Sequence, residues 1–329
     1  MKSASSRTPI DKQTKHRRLA ICFFLALAAI PLERAIKPYL FELSLRHIRH
    51  FRASSTPALD VFFSIVSELA EKVGFIVVNT LAFCVLSLYS SFQLMLALNV
   101  AIGYNVILKL FYCDPRPFYI DHSIVPVACD LEFGNPSGHS QASTAYYFVL
   151  ARCLIREFAP LQRRSRLVYA ASAALCLLIG FSRVFTGVHS YNQILFGFFC
   201  GTMSYVLMCH VYEDLYFQMI DEAIAGKYKG VKLLNNTLFR AWLASFVVGV
   251  AVYVYVARNE TYFQPPEWAE SIYEVCPSKR GKNMGFAFAC LKKLTLAFSM
   301  PGCMFGIFFD CHFLKTGTHS FVEGNGSLL

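Results

Sequence analysis

Long apolar runs alternate with short polar connections along this chain. The runs cover residues 19–37, 73–89, 92–112, 142–156, 167–185, 194–212, 238–256 and 284–313. Most approach the length that a helix needs to cross a hydrocarbon layer. The pattern predicts an all-α, polytopic membrane helical bundle of about eight spans. Between the first two runs, Leu59, Phe62, Phe63, Val66 and Leu69 recur at helical spacing. That spacing predicts an amphipathic helix over 57–70, lying against the bundle or the interface. The first run is broken at Pro31 and followed by Glu33, Arg34 and Lys37. It fits a retained anchor or a secretory signal, and the anchor is preferred because no convincing cleavage site follows. Residues 37–57 are then a connection on the non-cytoplasmic side.

Composition agrees with a membrane class, since 55% of the 329 residues are hydrophobic and only 16% are charged. The net charge of +10 is concentrated in the leader and in the turns between runs. Membrane orientation accounts for it better than nucleic-acid binding does, and no nucleic-acid partner is expected. The leader 1–18 and the turn holding Arg156, Arg163, Arg164 and Arg166 are read as cytoplasmic. Residues 19–329 are read as one membrane-embedded domain, with a core at about 57–212 and a C-terminal pair of spans at 238–313. On the opposite, lumenal or extracellular side fall the polar stretch 113–135, the segment 258–283 and the sequon at Asn259. The sequons at Asn235 and Asn325 count as cytoplasmic. Most of the 12 cysteines lie singly in apolar runs, but Cys113, Cys129 and Cys276 share the non-cytoplasmic side, where a disulfide among them is feasible.

Three polar clusters stand where runs meet that side. Lys109 is followed after six residues by Arg116-Pro117; Asn135-Pro136-Ser137-Gly138-His139-Ser140 precedes the run at 142; Ser182-Arg183 is followed after five residues by His189. A single cation at a span end is ordinarily an interfacial anchor. Three cations converging with two imidazoles make a better anion site than an anchor set. Lys109, Arg116 and Arg183 can neutralise phosphate oxygens, and a helix starting near Ser137 and Gly138 offers N–H donors and a favourable dipole. Lys292 and Lys293, inside the last run, find no role in this pattern.

Lys-x6-Arg-Pro, Pro-Ser-Gly-His and Ser-Arg-x5-His, in this order over 109–193, resemble the three signature motifs of the phosphatidic acid phosphatase type 2 and haloperoxidase superfamily. The resemblance implies an acid phosphatase/vanadium haloperoxidase-like helical core and a metal-independent phosphoric monoester hydrolase with no cofactor. By the same resemblance His189 is the nucleophile, forming a phosphohistidine, and His139 is the general acid and then the base. Lys109, Arg116, Ser137, Gly138 and Arg183 would bind the phosphate.

One position departs from the family pattern. Gln193 stands four residues after His189, where an aspartate usually orients the nucleophile. An amide can still accept the imidazole N–H but brings no charge, so a weak or silent site is one expectation. If the amide limits the rate, Gln193→Asp should raise it. Glucose-6-phosphatases, a branch of the same superfamily, carry glutamine there and are active; the chain is also similar to them at Pro266-Glu267-Trp268 and Cys129. The reading is therefore an integral-membrane phosphatase of a phosphatidate-like lipid phosphate, with a sugar phosphate as the alternative substrate. Its site faces the lumen or exterior, in the endoplasmic reticulum, another endomembrane or the plasma membrane.

Overall fold

The computed structural model describes residues 11–224, 237–279 and 285–297. Residues 1–10 of the leader, the Asn235 and Asn325 sequons, and much of the run at 284–313 lie outside the described residues. The described residues are helical throughout, joined by turns and by one long polar loop.

The helices follow the apolar runs, with one large exception. α1 is continuous from Lys12 to Ala53, through Pro31 and Pro38, so the predicted connection at 37–57 is mostly helix. The charges that suggested an end to the span instead face polar partners. Glu33 Oε1 accepts from Asn135 Nδ2 at 2.8 Å and from Asn192 Nδ2 at 3.1 Å. Lys37 Nζ and Arg34 Nη1 reach Asp114 Oδ1 at 2.6 and 3.3 Å. Paired in this way, buried charge is compatible with a continuing helix.

α2 (Pro57–Glu68) starts on Thr56, whose hydroxyl accepts from the Leu59 N–H, with proline at its first position. It buries Phe63 and Val66 and leaves Leu59 and Phe62 exposed. α3 (Lys72–Val85) and α4 (Leu88–Tyr112) form a hairpin closed by Ser87, whose hydroxyl accepts from the Ser90 N–H. A short α5 (Pro117–Ile120) opens the polar loop that leads to α6 (Gly138–Glu157). α7 (Ala159–Arg163) turns the chain into α8 (Ser165–Phe185), and α9 (Tyr191–His210) and α10 (Glu213–Ile224) complete this part. Beyond it, α11 (Thr237–Arg258), α12 (Glu260–Phe263), α13 (Pro266–Val275) and α14 (Phe286–Ala297) pack back on α4 and α5.

α6 is the centre of the bundle, enclosed by α4, α8 and α9. Gly197 and Gly201, four apart on α9, let the two backbones approach. A Cβ at Gly201 would stand 2.6 Å from the Gln141 carbonyl, and one at Gly197 would stand 2.8 Å from that of Ser137. α6 runs from the motif end of the bundle to the opposite end and is more polar than these three neighbours, with Ser140, Gln141, Ser143 and Thr144 all buried. Its polar groups are satisfied inside the bundle: Gln141 accepts from Asn105 at 2.9 Å and donates to the Ala101 carbonyl at 3.1 Å.

Among the described residues, four helices are long and apolar enough to cross a membrane: Gln13–Ala53, Leu88–Ile120, Ser165–Phe185 and Tyr191–His210. Lys72–Val85 and Leu243–Arg258 are apolar but shorter. Of the other four expected spans, 73–89 and 238–256 fall in these shorter helices, 142–156 lies in the more polar α6, and 284–313 is largely outside the described residues. Outward-facing Phe23, Phe24, Ile76, Val77, Leu167 and Leu177 form the kind of large apolar surface that a bilayer covers. At one end of the bundle Arg152 and Arg156 bind Glu213, and Arg18 caps the His210 carbonyl. The polar loop and the motif residues are at the other end.

Candidate active site

The three motifs meet where α4 ends, α6 begins and α8 turns into α9. α4 stops at Cys113, whose left-handed backbone (φ 49°) redirects the chain into Asp114-Pro115-Arg116. Lys109, in the last turn of α4, and Arg116, just before α5, are both fully buried. Lys109 Nζ donates to the Phe133 carbonyl at 2.6 Å, and Arg116 Nε donates to the Glu132 carbonyl at 2.9 Å. Both cations are thereby tied to the polar loop, at 132–133. Arg183 comes from the last turn of α8 and reaches Asp130 Oδ2 at 3.2 Å.

Two carboxylates that the motifs do not contain organise these cations. Glu132 lies 3.1 Å from Arg116 Nη2, 3.5 Å from Lys109 Nζ and 2.6 Å from Lys293 Nζ. Asp130 bridges Arg183 and Arg116, the latter at 3.6 Å. Burial alone would favour a neutral Glu132, but Lys109, Lys293 and Arg116 outweigh it and hold the carboxyl at about 2. Asp130 is likewise held well below the usual carboxylate range, against burial, by Arg116 and Arg183. Both are therefore ionised counter-charges to a buried cationic cluster. Sequence reasoning missed Asp130, Glu132 and Lys293; their acidic and basic spacing shows nothing until the loop folds over the helix ends.

His189 sits in the turn between α8 and α9. Its Nδ1 lies 2.9 Å from Gln193 Oε1, and its Nε2 lies 3.3 Å from Arg116 Nη1. Gln193 Oε1 also accepts from the Ser190 N–H at 3.3 Å, while its Nε2 donates to the Pro115 carbonyl at 2.7 Å. These partners set the amide orientation, since a carbonyl and a backbone N–H demand opposite ends of it. The oxygen must then take the Nδ1–H of His189, leaving the lone pair on Nε2. Gly134 makes room for this, because a Cβ there would overlap the Gln193 amide. Burial, with Arg116, Lys109 and Arg183 beside it, pushes the His189 imidazole well below its ordinary value, and its bond to Gln193 offsets this only in part.

His139 is buried in the first turn of α6, whose N-cap is Ser137. The turn before it is fixed by Asn105 Nδ2, which donates to the Pro136 carbonyl at 3.2 Å, and by a cis Asn135-Pro136 peptide. Its Nε2 stands 3.2 Å from Glu71 Oε1, at an angle that makes no hydrogen bond. The Ser137 N–H donates to the Gln193 carbonyl at 2.9 Å. That N–H is engaged within the protein, whereas Gly138 begins the helix and has no intrahelical acceptor. Buried groups without a hydrogen-bond partner among the described residues include His139 Nε2 and Arg183 Nε. Orphaned buried groups are costly, and their grouping at one anion-attracting end is what a polar ligand would repay. No set of three or more His, Cys, Asp or Glu among the described residues could hold a metal ion.

The polar loop is fastened from outside as well. Cys129 and Cys276 form a disulfide, while Cys113 is free and buried. Tyr119 OH donates to the Asp130 and Glu132 carbonyls at 2.8 and 3.0 Å.

A helical membrane bundle with lysine, two arginines and two histidines gathered at the helix ends defines a class of anion-handling membrane proteins. Residues 88–217 match the family model of the PAP2 superfamily. The chain is 31% identical over 104 residues to phosphatidylglycerophosphatase B of Bacillus subtilis (strain 168), covering 32% of this chain and 49% of that one. The chain thus spans about half the length of this curated relative. In fold it is similar to the crystal structure of a transmembrane PAP2 type phosphatidylglycerolphosphate phosphatase from Bacillus subtilis, with a TM-score of 0.52 and 22% identity over 58% of this chain and 96% of that one.

Proposed function

We propose that this protein is a metal-independent membrane phosphatase that hydrolyses a phosphomonoester through a phosphohistidine on His189. The observation that carries the reading is the orientation of His189: Nδ1 toward Gln193 Oε1, and Nε2 toward Arg116 in a buried cationic cluster. A neutral imidazole with its lone pair among cations is suited to attack phosphorus as those cations gather the phosphate oxygens. Nε2 forms the bond to phosphorus as the ester oxygen departs, and His139 supplies that oxygen's proton. The same His139 then takes a proton from water, whose oxygen attacks phosphorus and releases His189. Lys109, Arg116 and Arg183 stabilise charge on the transferring group in both steps.

The substrate class is proposed as a lipid phosphate. The relative's name, phosphatidylglycerophosphatase B, supports it, as does a site at the end of membrane-length helices. A sugar phosphate is the second reading, favoured by Gln193. The disulfide beside the site supports an oxidising side, hence a lumenal or extracellular active centre in an endomembrane such as the endoplasmic reticulum. The test offers phosphatidate, phosphatidylglycerophosphate and glucose 6-phosphate side by side to the purified protein and measures released phosphate. Preferential release from the lipids is expected. Release from none of them, with the cationic site intact, would sink the enzymatic reading in favour of a silent anion-binding protein.

A further inference from the structure

Lys293 belongs to α14, outside the residues that match the family model and outside all three motifs. It nevertheless makes the shortest ion pair to Glu132, at 2.6 Å, sharing Oε1 with Arg116 Nη2. We propose that Lys293 is a positioning residue of the phosphate site: it holds Glu132 as its counter-charge, so that Lys109 and Arg116 keep their charge for the substrate. This inference rests on the functional reading above and names how a distant helix completes the same site.

Lys109, Arg116, Arg183 and Lys293 are joined to the two carboxylates Asp130 and Glu132, while Glu71 is set against His139. Asp130 and Glu132 each take up one of the four cationic charges through direct ion pairs, so every remaining cation counts toward a phosphomonoester dianion. Without Lys293, Glu132 has only motif cations to pair with. A buried carboxylate that loses one of three cationic partners is drawn harder onto the other two. Lys109 and Arg116 would then face substrate already half neutralised.

The test uses the full-length protein in detergent and reads binding of inorganic phosphate, through protection against thermal unfolding, beside phosphomonoester kinetics. Lys293→Met is expected to weaken phosphate binding about 10- to 100-fold, and to raise KM more than it lowers kcat. Lys293→Arg should stay within a few-fold of wild type, and adding Glu132→Gln to Lys293→Met should recover most of the lost binding. A structural plug at position 293 would not be rescued by a change of charge on Glu132. Phosphate binding within twofold of wild type in Lys293→Met overturns the inference, as does a double variant no better than the single one. If Lys293→Met alone does not fold, the double variant decides. Binding near wild type supports the inference and a tenfold or greater loss overturns it. Wild-type protein that binds phosphate in this Lys293-dependent way but hydrolyses nothing removes the functional reading while leaving this one in place.

Discussion

Gln193 Nε2 donates to the Pro115 carbonyl at 2.7 Å, and this bond decides which end of the amide faces His189. The glutamine does two tasks that one carboxylate cannot. An anionic side chain of the same length would put an oxygen against the Pro115 carbonyl, with two acceptors meeting in a buried place. Gln193→Glu is therefore expected to lose stability by about 1–3 kcal/mol and to lower kcat/KM. Gln193→Asp, shorter by a methylene and equally without a donor, is expected to bring no gain. Thermal unfolding and initial rates of phosphate release measure both. A faster Gln193→Glu enzyme would show that charge on His189 matters more than the Pro115 contact.

The two histidines are separable by choice of leaving group. His189→Ala is expected to abolish turnover and to leave no acid-labile, base-stable phosphate on the protein after an alkaline quench, because the nucleophile itself is gone. His139→Ala should slow an alkyl phosphate by about 10²- to 10⁴-fold, the usual scale for loss of a positioned proton donor. With p-nitrophenyl phosphate, whose leaving group needs no proton, the first step should be spared and the second still impaired. Labelled phosphate should then accumulate on His139→Ala and be visible after rapid quenching. Equal slowing with both leaving groups, and no accumulation, would remove His139 from the proton-transfer role.

The sequence carried the motif residues but not their counter-charges. Lys109, Arg116, His139, Arg183 and His189 are legible because their spacing is set by local chain geometry at helix ends. Glu132 and Lys293 are 161 positions apart, and only packing of α14 against α4 joins them. The first helix was misread for the opposite reason. Glu33, Arg34 and Lys37 look like the end of a span when hydropathy is summed along the chain, yet Glu33 is buried against Asn135 and Asn192, and Arg34 and Lys37 pair with Asp114. Hydropathy averages over all faces of a helix, so it cannot tell a charged end from a charged stripe. Hydropathy likewise understates α6, whose buried Gln141 is satisfied by Asn105 and the Ala101 carbonyl of α4.

The pH profile should bear the mark of the buried cluster. Burial and the Arg116, Lys109 and Arg183 charges lower the pKa of His189 in the free protein. The neutral imidazole is the nucleophile, so a lowered pKa extends its competent range toward acid. After correction for the substrate's own second ionisation near pH ~6, the acid limb of kcat/KM due to His189 is expected below the ordinary histidine value of about 6.5. Lys109→Met removes one of the charges responsible and should move that limb upward, besides weakening substrate binding. A limb above 6.5 in the wild type, unmoved by the substitution, would mean that His189 does not sense these cations.

Cys129 immediately precedes Asp130 in the loop that carries both counter-carboxylates, and its partner Cys276 lies 147 residues away at the end of α13. Closing so long a loop removes freedom mainly from the unfolded chain, a contribution of about 2–5 kcal/mol. The bond also anchors the loop beside Asp130, whose carbonyl, with that of Glu132, is bonded by Tyr119. Cys276→Ser should therefore lower the unfolding temperature, and it should raise KM for a phosphomonoester because Asp130 and Glu132 lose their fixed distance to the cations. Reductant should reproduce both effects in the wild type and add nothing to the variant. If the variant unfolds at lower temperature but keeps the wild-type KM, the disulfide stabilises the fold without setting the loop, and the cations are held by their own bonds to the Phe133 and Glu132 carbonyls.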